Sequence, residues 1–140
     1  MRYRAETGSV LLLMPAAIVV VLLLGAIAVD SAIVYLGQRR AYDVALDAAN
    51  DAAGAGLDRD TARTTGALVH DPVRVREIAA ATIGAAQMDG ITLVAARTHD
   101  GLVEVTVDVR VQRLFGRAFG GRAAETVRIS ARAVGEARGP

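Results

Sequence analysis

Cysteine, lysine and tryptophan are absent from the 140 residues. Without cysteine the chain has no disulfide, no thiol nucleophile and no thiolate-built zinc site. Any folded part must therefore be held by packing alone. Aromatic residues are few, with three Tyr and two Phe, and there are only three prolines. All 16 basic residues are arginine. Together with the abundance of Ala, Val and Gly, this reads as the codon bias of a GC-rich genome and not as chemistry. The 15 acids offset the arginines to a net charge of +1. No global field then draws the chain to nucleic acid or to acidic lipid, and no nucleic-acid partner is expected.

Apolar sequence, by contrast, is plentiful and concentrated. Val10 to Val29 reads VLLLMPAAIVVVLLLGAIAV, without one charged or polar side chain. Twenty helical residues at about 1.5 Å each match a hydrocarbon core of about 30 Å. A cleavable secretory signal is the competing reading, but its apolar region is usually only about 7–15 residues long. Here, after Asp30, a semi-apolar helical segment, Ser31 to Leu36, follows at once. A retained single-pass anchor is expected. Arg2 and Arg4 precede the run closely, whereas Arg39 and Arg40 lie well beyond it. The positive-inside rule therefore favours a cytoplasmic amino terminus and an outer carboxy-terminal domain. The expected organisation is a short cytoplasmic leader at 1–9, a transmembrane segment at 10–29 continuing as helix to about 53, and an extracytoplasmic α+β domain at 54–140. That last piece suffices for one small domain.

Helical spacing persists beyond Asp30. Ile33, Leu36, Val44 and Ala48 share one face, widened by Ala41, Ala45 and Ala52, and such an alanine-rich face suits close packing. Gly54-Ala55-Gly56 is the first convincing stop. Pro15 either kinks this helix or marks its first turn. Leu57 to Asp71 is polar and broken and reads as a loop. Asp71-Pro72 is a helix start, an N-cap acid followed by Pro at the first position. The helix it opens is expected over Val73–Gln87, with Val75, Ile78, Ala79, Thr82, Ile83 and Ala86 as its buried stripe. The period then changes. Ile91–Arg97 is a candidate strand, and His99-Asp100-Gly101 signals a hairpin with a type I′ turn. Val103, Val105, Val107, Val109 and Val111 alternate with polar residues, giving one apolar and one wet face. Val127, Ile129, Ala131 and Ala133 alternate again after a Gly- and Arg-rich connection, Phe115 to Arg122. The fold class is α+β: a long amino-terminal helix, a short second helix and a three-stranded antiparallel sheet that only the helices can cover.

The order Gly8-Ser9, apolar span with early Pro, Ala28-Val29-Asp30, Tyr35-Leu36, Gln38-Arg39-Arg40 and Ala48-Ala49-Asn50-Asp51-Ala52-Ala53 resembles the amino-terminal segment of TadE/TadG-like proteins. These are minor pilin-like or assembly components of Flp (Tad) pili, a branch of the type IV pilus and type II secretion machinery. The resemblance covers about residues 4 to 57. It implies a pilin-like architecture and a non-enzymatic structural role. The implied partners are the membrane, other pilus or secretion assembly proteins, and further copies or relatives through the amino-terminal helix. Prepilins of this kind are usually cut after a Gly and carry Glu five residues on. That position after Gly8 is Leu13, so the leader is expected to be retained. Larger TadG-like proteins carry a big carboxy-terminal domain with a metal-dependent adhesion motif. The chain is too short for it, and no metal site is carried over. The competing class is a membrane-anchored accessory or binding domain unrelated to pili.

Few residues suggest chemistry. Asp58 and Asp60 have D-x-D spacing, but Arg59 and Arg63 stand where a calcium loop needs oxygen ligands. His70 and His99 are single loop histidines without an i,i+4 partner. Ser9, Ser31 and Ser130 have no nearby His to activate them. Gly116, Gly120 and Gly121 with Arg117 and Arg122 join two strands, which excludes a P-loop. They form either a flexible hairpin connection or a basic contact patch for a partner or for lipid headgroups. No catalytic residue, cofactor, metal or small-molecule substrate is expected. Two features point to assembly. Gly25, Ala28 and Ala32 form a small-residue patch for transmembrane helix packing. Asp30 is an interfacial charge, either simply placed at the membrane edge or paired with an Arg of a neighbouring subunit.

Overall fold

The computed structural model of the chain describes residues 8–135 apart from 68, 117 and 119. The charged leader therefore lies outside the described residues, except for its last two residues, Gly8 and Ser9. Helix α1 runs unbroken from Gly8 to Ala55, 48 residues or about 72 Å at the standard rise. Pro15 lies inside it and not in its first turn. The expected stop is where the helix ends. Gly56 N–H donates to the Ala52 carbonyl at 2.9 Å, and a Cβ on Gly56 would sit 2.4 Å from that same oxygen.

The segment 57–71, expected as a loop, contains a short helix, α2, over Arg59–Thr65. Its cause is local chemistry that hydropathy does not register. Asp58 Oδ1 accepts from the N–H groups of Asp60 and Thr61, and its Oδ2 accepts from the Thr61 hydroxyl at 2.6 Å. One carboxylate thereby satisfies donors that a helix start leaves orphaned. These hydrogen bonds, Thr61 foremost, hold the Asp58 carboxyl below its ordinary pKa.

Helix α3 spans Pro72–Ala85. Asp71 caps it by accepting from Val73 N–H at 2.9 Å, with Pro72 in the first turn. Val75, Ala79 and Ile83 are buried and Ile78 and Thr82 half-buried. Ala86 is exposed, contrary to expectation, because the helix has ended there and the backbone turns left-handed at Gln87.

The three strands are β1 (Ile91–His99), β2 (Leu102–Gln112) and β3 (Ala124–Val134). They form an antiparallel meander in the order β1-β2-β3. Asp100 and Gly101, the central residues of the first hairpin, both have positive φ (48° and 76°), as a type I′ turn requires. Strand β1 carries a bulge at Val94, which lies between the paired Leu93 and Ala95 and has no partner in the register. The bulge resets the strand's phase, so Ile91 and Leu93 face inward before it and Ala96 and Thr98 after it.

The fold has two layers, with α1 and α3 on one face of the sheet. Val103, Val105, Val107 and Val109 are completely buried on that face. The main core joins the first three to Ala45, Ala48, Ala49, Ala52 and Ala53 of α1, to Val75, Ala79 and Ile83 of α3, and to Ala131 and Ala133 of β3. A smaller cluster continues it toward the amino-terminal half of α1 through Ala41, Val109 and Val111. Leu36, expected in the buried stripe, is exposed. The seam against the sheet runs instead through Gly37, Ala41, Ala45, Ala48 and Ala52. Only small residues let the helix backbone lie so close: a Cβ on Gly37 would be 2.7 Å from Val111 Cγ2.

Candidate functional site

The features of α1 that point outward are decided by its seam. Ala26 and Asp30 are buried and lie on the same line as Gly37 and Ala41, at spacings of four, seven and four. Gly25, Ala28 and Ala32 lie roughly 140–160° round the helix from Asp30 at 100° per residue, and all three are exposed. A Cβ on Gly25 would meet nothing within 4 Å. The fold thus leaves the small-residue patch on the back of α1, away from the sheet. Tyr35 and Tyr42 follow on that exposed side.

Asp30 is engaged within the chain. Its Oδ1 accepts from the backbone N–H groups of Leu114 and Phe115, at 2.8 and 2.9 Å. This bond spans 84 residues of sequence and fastens the connection between β2 and β3 to α1 at the end of the apolar run. The connection is closed at its base by Arg113 N–H to the Ala123 carbonyl, 2.9 Å. Internally, Ala118 N–H bonds the Phe115 carbonyl and Gly121 N–H the Gly116 carbonyl. Gly116 is buried so tightly that a Cβ would lie 2.4 Å from the Arg122 carbonyl. Arg117, one of the residues noted in the sequence, lies outside the described residues.

The wet face of the sheet is a ladder of paired polar groups. Glu104 accepts from Arg132 at 2.9 Å, Asp108 accepts a two-pronged bond from Arg128, and Thr106 and Ser130 share a hydrogen bond. Arg113 pairs with Glu125. The Arg128 hydrogen bond holds the Asp108 carboxyl below its ordinary value, and Asp108 in turn raises Arg128.

The two histidines have separate surroundings. His70 is buried, and its Nε2 lies 3.1 Å from the Ala53 carbonyl. A carbonyl only accepts, so Nε2 carries the proton and satisfies an orphan acceptor at the end of α1. His99 ends β1 and contacts Asp100 at 3.0 Å, both fully in solvent. Among the described residues no three of His, Asp and Glu are grouped to hold a metal ion. A groove lined by Ile33, Gly37, Arg40, Asp43, Met88 and Arg110 runs between α1 and the end of α3. It mixes charges of both signs.

Sequence reasoning had no signal for the partner of Asp30 or for that of His70, because both partners are backbone groups set by distant chain. No family model matches the chain, and no curated protein and no solved structure matches it either.

Proposed function

We propose that the chain is a non-enzymatic, single-pass membrane component of a Flp/Tad-type pilus or a related type II/IV secretion assembly. In this reading the amino terminus is cytoplasmic and the α+β domain lies outside. The observation that carries it is the division of labour along α1. From Leu13 to Val29 every Leu, Ile, Val and Met side chain is exposed, and α1 is a helix long and apolar enough to cross a membrane. From Gly37 to Ala52 the same helix is welded to a sheet through a seam of Gly and Ala. In this reading a continuous helix that is half membrane anchor and half core of an α+β domain matches the pilin-like architecture that the amino-terminal resemblance implies. It makes the domain and its anchor one rigid lever. The back of the helix, with Gly25, Ala28 and Ala32, remains free to pack against helices of partner subunits, whether copies or relatives.

Deletion of the gene in its own cell tests this reading. Flp-type filaments or the corresponding secreted products should be lost and restored by the intact chain. Filaments and secretion that persist without it would overturn the assembly role. The intact protein should also stay in the membrane fraction through carbonate extraction, and its release would overturn the anchor.

A further inference from the structure

The connection between β2 and β3, residues 113–123, reads RLFGRAFGGRA. It holds both phenylalanines of the chain and three of its arginines, in a sequence otherwise poor in aromatics. Its level along α1 follows from two contacts. Val111 packs where Gly37 leaves space, and the amides of Leu114 and Phe115 are held by Asp30. Strand β2 therefore runs back along α1 toward the amino terminus, and the connection is the part of the domain nearest the apolar run. Ala26, one helical turn deeper into that run, is buried although Gly25 and Ile27 beside it are exposed. The domain thus reaches past Asp30 on this side. At that level Leu114 is 67% exposed, Phe115 is half-buried and Arg122 is exposed.

We propose that this connection is a second membrane contact, seated in the interface of the leaflet that faces the domain. Leu114 and Phe115 enter the acyl boundary there, and the exposed Arg122 beside them meets lipid phosphates. The proposal rests on the membrane reading of α1 and commits to a lipid bilayer as the occupant. Apolar side chains with flanking Arg suit such an interface, where long cationic side chains reach the headgroups while apolar ones go deeper. The Asp30 carboxylate, its charge met by two amides, pins the connection at that depth and allows an acid to stand beside hydrocarbon. Two points of attachment would fix the tilt of the domain on the membrane, which one helix alone leaves free.

The absence of cysteine makes the test direct. Leu114→Cys, Val20→Cys and Asp100→Cys are each labelled with an environment-sensitive fluorophore in the full chain, reconstituted in vesicles of phosphatidylcholine and phosphatidylglycerol. Lipids carrying a nitroxide at shallow or deep acyl positions serve as quenchers. The Val20 probe should be quenched best by the deep nitroxide and the Leu114 probe by the shallow one. The Asp100 probe, at the far end of the sheet, should not be quenched. A quenched Val20 probe with an unquenched Leu114 probe would overturn the second contact and leave the anchor standing. A Leu114 probe that is blue-shifted yet unquenched would place the loop against protein, in its own or a second copy of the chain, and equally overturn it. An unquenched Val20 probe would overturn the membrane reading, and the second contact with it.

Discussion

Asp30 is the residue that fastens the connection between β2 and β3 to α1. Asp30→Ala leaves two partly buried backbone donors without their acceptor, and hydrogen bonds to a charged group contribute about 1.5–3 kcal/mol each. The connection should then detach from α1 while the sheet stays folded. Amide exchange in the detergent-solubilised chain checks this: protection at Leu114 and Phe115 should fall sharply, and that of Val105 and Val107 should not. Gly37 tests the seam. A larger side chain there must push Val111 away, so Gly37→Leu should cost about 1–3 kcal/mol by overpacking, read as a lowered melting temperature. Asp108 supplies a pH signature. Its folded pKa lies below the unfolded value because of Arg128. The stabilisation it gives is complete above an unfolded pKa of about 3.9 and is lost as pH falls through the folded value. NMR titration should show the depressed carboxyl in the parent and its return to an ordinary value in Arg128→Ala.

Among the elements, β2 is central to the sheet: it pairs on both sides and presents its buried valines to the helix-covered face. Val107→Asp places an unpaired charge in the middle of that face, a change costing more than about 4 kcal/mol against a total stability of about 5–15 kcal/mol. The α+β domain should unfold, seen by circular dichroism as loss of strand signal. Glu104→Ala, on the wet face, removes only a half-exposed pair with Arg132. Such pairs are worth about 0–1 kcal/mol, so its melting curve should overlie the parent's. If Val107→Asp melts as the parent does, the facing of the sheet is wrong. Helix α1 and strands β2 and β3 were legible because each repeats a simple period for seven residues or more. Helix α2 was not, since it depends on one capping acid. The β1 bulge was not, since it is set by the register against β2, in which Val94 has no partner.

At the scale of the whole molecule, the exposed apolar run and the buried seam share one axis. Insertion of the run should be sensitive to charge: Val20→Arg should weaken it by about 2.5–3.5 kcal/mol on the translocon scale. Membrane fractionation of the variant beside the parent measures this, and the variant's soluble fraction should rise. Because α1 is continuous through Asp30, movement of neighbouring helices against Gly25, Ala28 and Ala32 would be transmitted to the sheet without a hinge.

What the sequence by itself determined is everything carried by local period and local chemistry. That comprises the apolar run, the helical spacing after it, the Asp71-Pro72 start, the Asp100-Gly101 turn and the two alternating strands. Each depends on neighbours within a few residues, so one dimension suffices. Tertiary structure alone decided which face of α1 meets the sheet. The alanines carry too little hydrophobic contrast to mark it, and Leu36, the larger residue, lies outside it. Tertiary structure also decided that Asp30 and His70 serve distant backbone groups. A carboxylate or an imidazole is equally satisfied by solvent, a neighbour or a remote amide. Only the path of the folded chain brings Leu114 to one and Ala53 to the other.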